Sequence, residues 1–132
     1  MYGQLYYRYA RARLDEDAPS RLAVDFTLRA VRRRWADLLR QPCPATGAWR
    51  QLRHHVTALR TERDSPVDRL YENCAPDIAD IALLSYRLGL PLDATADVMG
   101  IDRPIAAAGL RAAIRHCPPQ ALEHLEEVVP HS

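Results

Sequence analysis

The sequence predicts an all-α protein made of two small helical bundles, and three observations predict it. Apolar residues recur at helical spacing along nearly all of the 132 residues. Few windows alternate with the period of two that a half-buried strand requires. A chain this short hides only about two-thirds of its unfolded surface, which excludes large architectures such as barrels and leaves a compact domain or a helical pair.

The first helix is expected over about residues 3 to 14, with Leu5, Tyr6, Tyr9, Ala10 and Leu14 on one stripe and Arg8, Arg11 and Arg13 largely off it. Asp15 to Ser20 breaks it, and Ser20 is placed to cap a long second helix reaching about residue 41. Leu22, Phe26, Leu28, Val31, Trp35, Leu38 and Leu39 are its expected buried stripe. Pro42 to Gly47 reads as a turn, because two prolines remove donors and Gly47 permits unusual dihedrals. A third helix follows over about residues 48 to 61, with Trp49, Leu52, Val56 and Leu59 at i, i+3, i+7 and i+10. Trp35 and Trp49 are both expected in the core, stacking on an unpaired base being the lesser reading.

Residues 62 to 75 lose periodicity and contain Asp64-Ser65-Pro66 and Asn73. They read as a linker dividing a first domain, residues 1–61, from a second, residues 76–132. Pro76-Asp77 opens a helix through Ile78, Ile81, Leu83, Leu84 and Leu88, and Gly89 is placed to close it in the left-handed conformation. Leu92 to Met99 makes a short helix and Gly100 turns the chain. Asp102 is placed to cap a further helix from Arg103 to about His116, and Pro118-Pro119 starts a terminal helix carrying Leu122, Leu125, Val128 and Val129. Two helices about a tight glycine turn, with small Ala96 where they cross, form the helix-turn-helix pattern of DNA-binding proteins.

The net charge of +1 hides a division. Residues 1 to 60 hold 12 Arg and 5 acids, net +7, and residues 61 to 132 hold 6 Arg and 12 acids, net −6. Every one of the 18 cations is Arg. That usage reflects a genomic composition bias or a need for planar forks that grip phosphates and carboxylates bidentately, and both readings stay open. Arg32-Arg33-Arg34 with Arg29, Arg40, Arg50 and Arg53 binds nucleic-acid backbone, pairs with an acidic partner, or is simply the solvated face of a helix.

Three widely spaced cysteines, Cys43, Cys74 and Cys117, fit free thiols in a reducing compartment. The first residues lack the order of a secretory signal, and no uncharged run approaches the roughly 18 residues that span a bilayer. The expectation is therefore a cytoplasmic protein without a membrane partner. Side chains of adjacent residues on a helix diverge by about 100°, so His54 and His55 do not chelate one metal as a local pair. His116, Cys117 and His124 lack zinc-ligand spacing, and no glycine-rich phosphate loop is present. No metal, cofactor or catalytic group is expected, and a helical enzyme remains a remote third reading.

The stretch Leu83-Leu84-Ser85-Tyr86-Arg87-Leu88-Gly89-Leu90-Pro91-Leu92-Asp93-Ala94-Thr95-Ala96-Asp97-Val98-Met99-Gly100-Ile101-Asp102 resembles the promoter-reading fourth region of bacterial sigma factors, especially the extracytoplasmic-function group. Asp25-Phe26-Thr27-Leu28-Arg29-Ala30-Val31, Trp35, and Pro44 to Leu52 with Ala48-Trp49 look like that family's second region. The two motifs stand in the family's order over roughly residues 5 to 117. The resemblance implies core RNA polymerase or promoter DNA as partners, with an anti-sigma factor or co-regulator as a further protein partner. It implies DNA contacts at Arg103, Arg111 and Arg115 in the fourth-region helix and at Arg50, Arg53 and His54 in the second region. It implies partner contacts at Arg29, Arg32, Arg33 and Arg34.

The departures from the family are informative. Its second-region helix usually begins with an acidic pair and then Gln-Glu, where this chain has Ser20, Arg21, Val24 and Asp25. Its recognition helix usually offers polar or basic side chains in the first two turns, where this chain has Pro104, Ile105, Ala106, Ala107, Ala108 and Gly109. A good bidentate base contact is worth about 1–3 kcal/mol, so such a surface forgoes most sequence reading. Gly109 costs the helix about 1 kcal/mol relative to Ala, a cost that close packing of another element explains. Ala107, Ala108 and Gly109 are therefore expected to pack against protein, and the alternative to a sigma-type protein is an adaptor or regulator without promoter recognition.

Overall fold

A computed structural model describes residues 2–61 and 65–116, and all regular structure among them is helical. The protein is all-α. In chain order the helices are α1 (Gly3–Leu14), α2 (Asp17–Arg33), α3 (Trp35–Leu39), α4 (Pro44–Leu59), α5 (Pro66–Asn73), α6 (Pro76–Ala82), α7 (Leu92–Met99) and α8 (Arg103–His116). A π-helical turn, Leu83–Arg87, extends α6. The backbone divides into two compact units: Met1–Thr61 with Asp97–Gly100, and Glu62–Ala96 with the chain from Ile101 onward.

In the first unit α1, α2 and α4 pack on one another. Tyr9, Trp49, Leu52 and Val56 are almost wholly buried, and the Tyr9 and Trp49 rings lie 4.6 Å apart. Arg13 is buried beside them because its Nη1 donates to the Tyr9 hydroxyl at 2.9 Å. The first helix ends at Asp15 in the left-handed conformation, φ 56°, where the backbone N–H donates to the Arg11 carbonyl.

The second helix departs from expectation in three ways. It begins at Asp17, after the extended residue Glu16, so Ser20 is not its cap. Ser20 is buried inside the helix and its hydroxyl donates to the Glu16 carbonyl. Pro19 is tolerated because the first turn has no carbonyl partner for its N–H to lose. The helix also stops at Arg34, φ −106° and ψ 16°, and α3 runs only to Leu39.

Its buried face is the third difference. Ser20, Ala23, Val24, Thr27 and Ala30 face inward, while Leu22, Phe26, Leu28, Trp35 and Leu39 are 37–56% exposed. Of the expected stripe only Leu38 is buried, and Val31 is half-buried. Small side chains let helix backbones approach closely, and the Thr27 hydroxyl is satisfied by its own helix, donating to the Ala23 carbonyl at 2.8 Å. Trp35 is thus outside the core, and Trp49, at 2% exposure, is inside it.

Pro42 to Gly47 is only partly a turn. Pro44 occupies the first turn of α4, where its missing N–H costs nothing, and Gly47 is helical. A Cβ at Gly47 would press on the Leu38 side chain, so the glycine serves close packing rather than chain reversal.

In the second unit the expected linker contains a helix. The Ser65 hydroxyl accepts from the Asp68 backbone N–H at 3.1 Å and Pro66 begins α5. Leu70 is wholly buried, and the Tyr71 hydroxyl donates to the buried carboxylate of Asp80 on α6. The π turn ends with Leu88 N–H donating to the Leu83 carbonyl and Leu90 N–H to that of Leu84, across Gly89 at φ +68°. After α7, Gly100 N–H donates to the Asp97 carbonyl and Ile101 N–H to that of Ala96, with Gly100 at φ +69°. That pair of bonds is a Schellman stop, so the bend expected at Gly100 is present. Helices α6 and α8 pack through Ile81, Ala106 and Ala113, all buried.

Cys43 is a free thiol, whereas Cys74 is disulfide-bonded. The expectation of a free thiol at Cys74 is therefore corrected, since separation in sequence does not set separation in space. Cys117 and the expected terminal helix lie outside the described residues. No helix among the described residues is long and apolar enough to cross a membrane.

Candidate nucleic-acid and partner surfaces

Two surface clefts of the first unit gather six of the candidate residues, Arg29, Arg32 and Arg33 in one and Arg50, Arg53 and His54 in the other. Helix α2 carries Arg29, Arg32 and Arg33 at i, i+3 and i+4, spacing that puts all three on one face. With Phe26 and with His55 of α4 they line an open cleft of about 500 Å³. The Phe26 and His55 rings are 5.6 Å apart and tilted by 46°. None of the three arginines takes part in an ion pair among the described residues.

His55 is the titratable group of this cleft. Its Nε2 is buried and has no hydrogen-bond partner among the described residues. Burial first, then the neighbouring His54 and Arg33, hold the imidazole below its ordinary range. The Arg run is thus split by the fold: Arg34 sits exposed at the break after α2 and does not line the cleft.

A second basic cleft, about 390 Å³, lies on α4 and is lined by Arg50, Arg53, His54, Thr57 and Ala58. The expected DNA-contacting residues of the first unit are therefore together. His54 and His55 are 5.2 Å apart, ring to ring, yet belong to different clefts, as their 100° divergence on the helix requires.

The third cleft, about 340 Å³, is apolar and sequence reasoning missed it. Its walls include Tyr2 and Tyr6 at α1, Leu28 and Val31 of α2, and Trp35 and Leu38 of α3. Burial and the nearby Tyr2 push the Tyr6 phenol up to about 12, so it stays neutral. The signal was present: 28, 31, 35 and 38 form a large-residue stripe beside the small-residue stripe 20, 23, 27 and 30. Taking the large residues as the buried stripe passes over the small one.

In the second unit, Arg103 is tied to Asp93, Nε to Oδ1 at 2.6 Å, with both side chains exposed. Arg111 and Arg115 are exposed on α8, with Ile105 and Ile114 exposed at 57% and 49%. Of the expected packing residues, Gly109 lies against Ile81 inside the unit, Ala107 is half-buried, and Ala108 is open. The close approach expected at Gly109 is therefore met within the fold.

The chain is a helical protein whose first unit bears two basic clefts and one apolar cleft. No protein-family model, curated protein or solved structure matches it. Among the described residues no three His, Cys, Asp or Glu side chains are gathered as a metal site requires.

Proposed function

We propose that the protein is a sigma-factor-like transcription protein that associates with core RNA polymerase, promoter DNA or both, with weak reading of DNA sequence. The observation that supports it is the basic cleft of α4, where the Arg50 and Arg53 guanidiniums and the His54 imidazole share one helix face. In this reading the cleft meets nucleic-acid backbone, and the apolar cleft at Trp35, with Arg34 beside it, meets polymerase. Helix α8 adds Arg111 and Arg115 on a surface short of polar side chains, a composition suited to phosphate contact more than to base discrimination.

Association with polymerase places the protein in the cytoplasm, where the thiol pool opens a disulfide such as that of Cys74. The reading therefore requires the reduced chain to bind as well as the oxidised one. The test is co-purification of the full chain with core polymerase, together with fluorescence anisotropy on labelled DNA across a salt series. Polymerase retention and an affinity that falls with salt support the reading. Arg50→Gln with Arg53→Gln should lower the slope of log affinity against log salt by roughly 1.5.

A second reading is favoured by a separate observation. Ile105 and Ile114 stand exposed on α8 while Arg103 is engaged by Asp93, which suits a protein contact better than a DNA groove. One stable partner other than polymerase, with no salt-dependent DNA binding, selects this adaptor role.

A further inference from the structure

We propose that the cleft between α2 and α4 is a nucleotide site, in which Arg29, Arg32 and Arg33 hold closely spaced phosphates and Phe26 stacks on the base. Three features of the cleft converge on that chemistry. Its arginines carry three positive charges on one helix face, and none of them forms an ion pair among the described residues. Like charges held this close repel, and an anion with several oxygens in a small volume relieves the repulsion while using the planar guanidinium forks.

The aromatic pair narrows the ligand. Phe26 is 37% exposed in a cleft otherwise lined by three arginines and His55, and is backed by the His55 ring. Phosphate alone gains nothing from an exposed phenyl ring, whereas a base stacks on it. The His55 ring lies against Phe26 and lines the cleft, so a base stacked on Phe26 changes the surroundings of that ring. The cleft's volume of about 500 Å³ falls within the range of small-molecule pockets.

This inference is independent of the transcription reading, which uses α4 at Arg50 and Arg53 and the cleft at Trp35. The ligand chemistry, a base joined to neighbouring phosphates, occurs in free nucleoside polyphosphates and in single-stranded nucleic acid. The experiment separates these sources.

Calorimetric titration of the full chain at low salt compares inorganic triphosphate, ATP and oligothymidylate, with the His55 ring followed by NMR. ATP should bind about tenfold more tightly than triphosphate and shift the His55 ring resonances. Phe26→Ala should erase that tenfold preference and leave triphosphate affinity in place. Arg32→Gln with Arg33→Gln, both exposed positions, should weaken ATP and triphosphate alike by about tenfold or more. Displacement of ATP by oligothymidylate, lost in the Arg32/Arg33 double variant, supports the site and identifies a strand as the source; ATP binding without displacement supports it with a free nucleotide. Absence of saturable binding by ATP and triphosphate, binding unchanged by the double variant, or an unmoved His55 ring overturns the proposal. Loss of DNA binding in Arg50→Gln/Arg53→Gln leaves these outcomes untouched, so failure of one reading is distinguishable from failure of the other.

Discussion

Gly109 of α8 lies so close to Ile81 of α6 that a Cβ built on the glycine overlaps the isoleucine Cδ1. Two effects oppose each other there. Alanine gains about 1 kcal/mol of helix propensity, and displacing the buried Ile81 costs about 1–3 kcal/mol of overpacking. Gly109→Ala should therefore lower stability by about 1 kcal/mol in the native background. In the Ile81→Val background, which lacks that methyl, the same change should raise stability by about 1 kcal/mol. Urea unfolding of the four proteins measures both, and an equal effect in the two backgrounds would show that the contact does not decide the choice of glycine.

The two tryptophans should behave oppositely. Trp49 fills the core of the first unit, so Trp49→Ala should cost about 3–5 kcal/mol. Trp35 is 48% exposed, and Trp35→Ala should change stability by about 0.5 kcal/mol or less. Acrylamide quenching of the single-tryptophan variants Trp49→Phe and Trp35→Phe checks the exposures directly: emission from Trp35 is quenched readily and emission from Trp49 is not.

Helix α5 depends on its cap. Ser65→Ala removes the acceptor for the Asp68 N–H and should cost about 1 kcal/mol. Ser65→Asp restores an acceptor and should recover most of it. Amide exchange at Asp68 is the readout, faster in the first variant and close to native in the second.

His55 should titrate below the ordinary histidine value of 6.5, with His54 and Arg33 adding to the effect of burial. The unfolded chain then takes up this proton first as pH falls. Stability should accordingly decline as pH drops through the unfolded value toward the folded one, and stay level above it. His55→Gln should remove that part of the acid dependence. A His55 ring titration above 6.5 in the unliganded protein would contradict the assignment.

Much of the fold was legible because helix boundaries are local. Tyr6, Tyr9 and Leu14 announced α1, Gly89 and Gly100 announced the two left-handed stops, and Arg103 to His116 was read with both ends in place. Proline hides the starts of two helices. Pro44 and Pro66 read as turn or linker residues, yet proline is equally suited to a helix's first turn, and only neighbouring turns of structure separate the two roles. Ser65 with Asp68 held the missed signal for α5.

The candidate site was legible residue by residue but not as surfaces. Arg29 to Arg34 read as one run, and the break at Arg34 sends the last of them away from the cleft that holds the rest. Phe26 and His55 are 29 positions apart, and nothing local links them.

By itself the sequence determined that the chain is helical, where most helices stop, and that basic charge is concentrated in the first half. Those properties depend on dihedral preference, hydrogen-bond donors and composition within a few residues. Only the tertiary structure decided that α2 buries Ser20, Ala23, Thr27 and Ala30 and leaves Leu28 and Phe26 outside, together with Trp35 of α3. The physical reason is that burial belongs to pairs of surfaces: a helix with one small stripe and one large stripe can present either inward, and the close fit of α1 and α4 selected the small one.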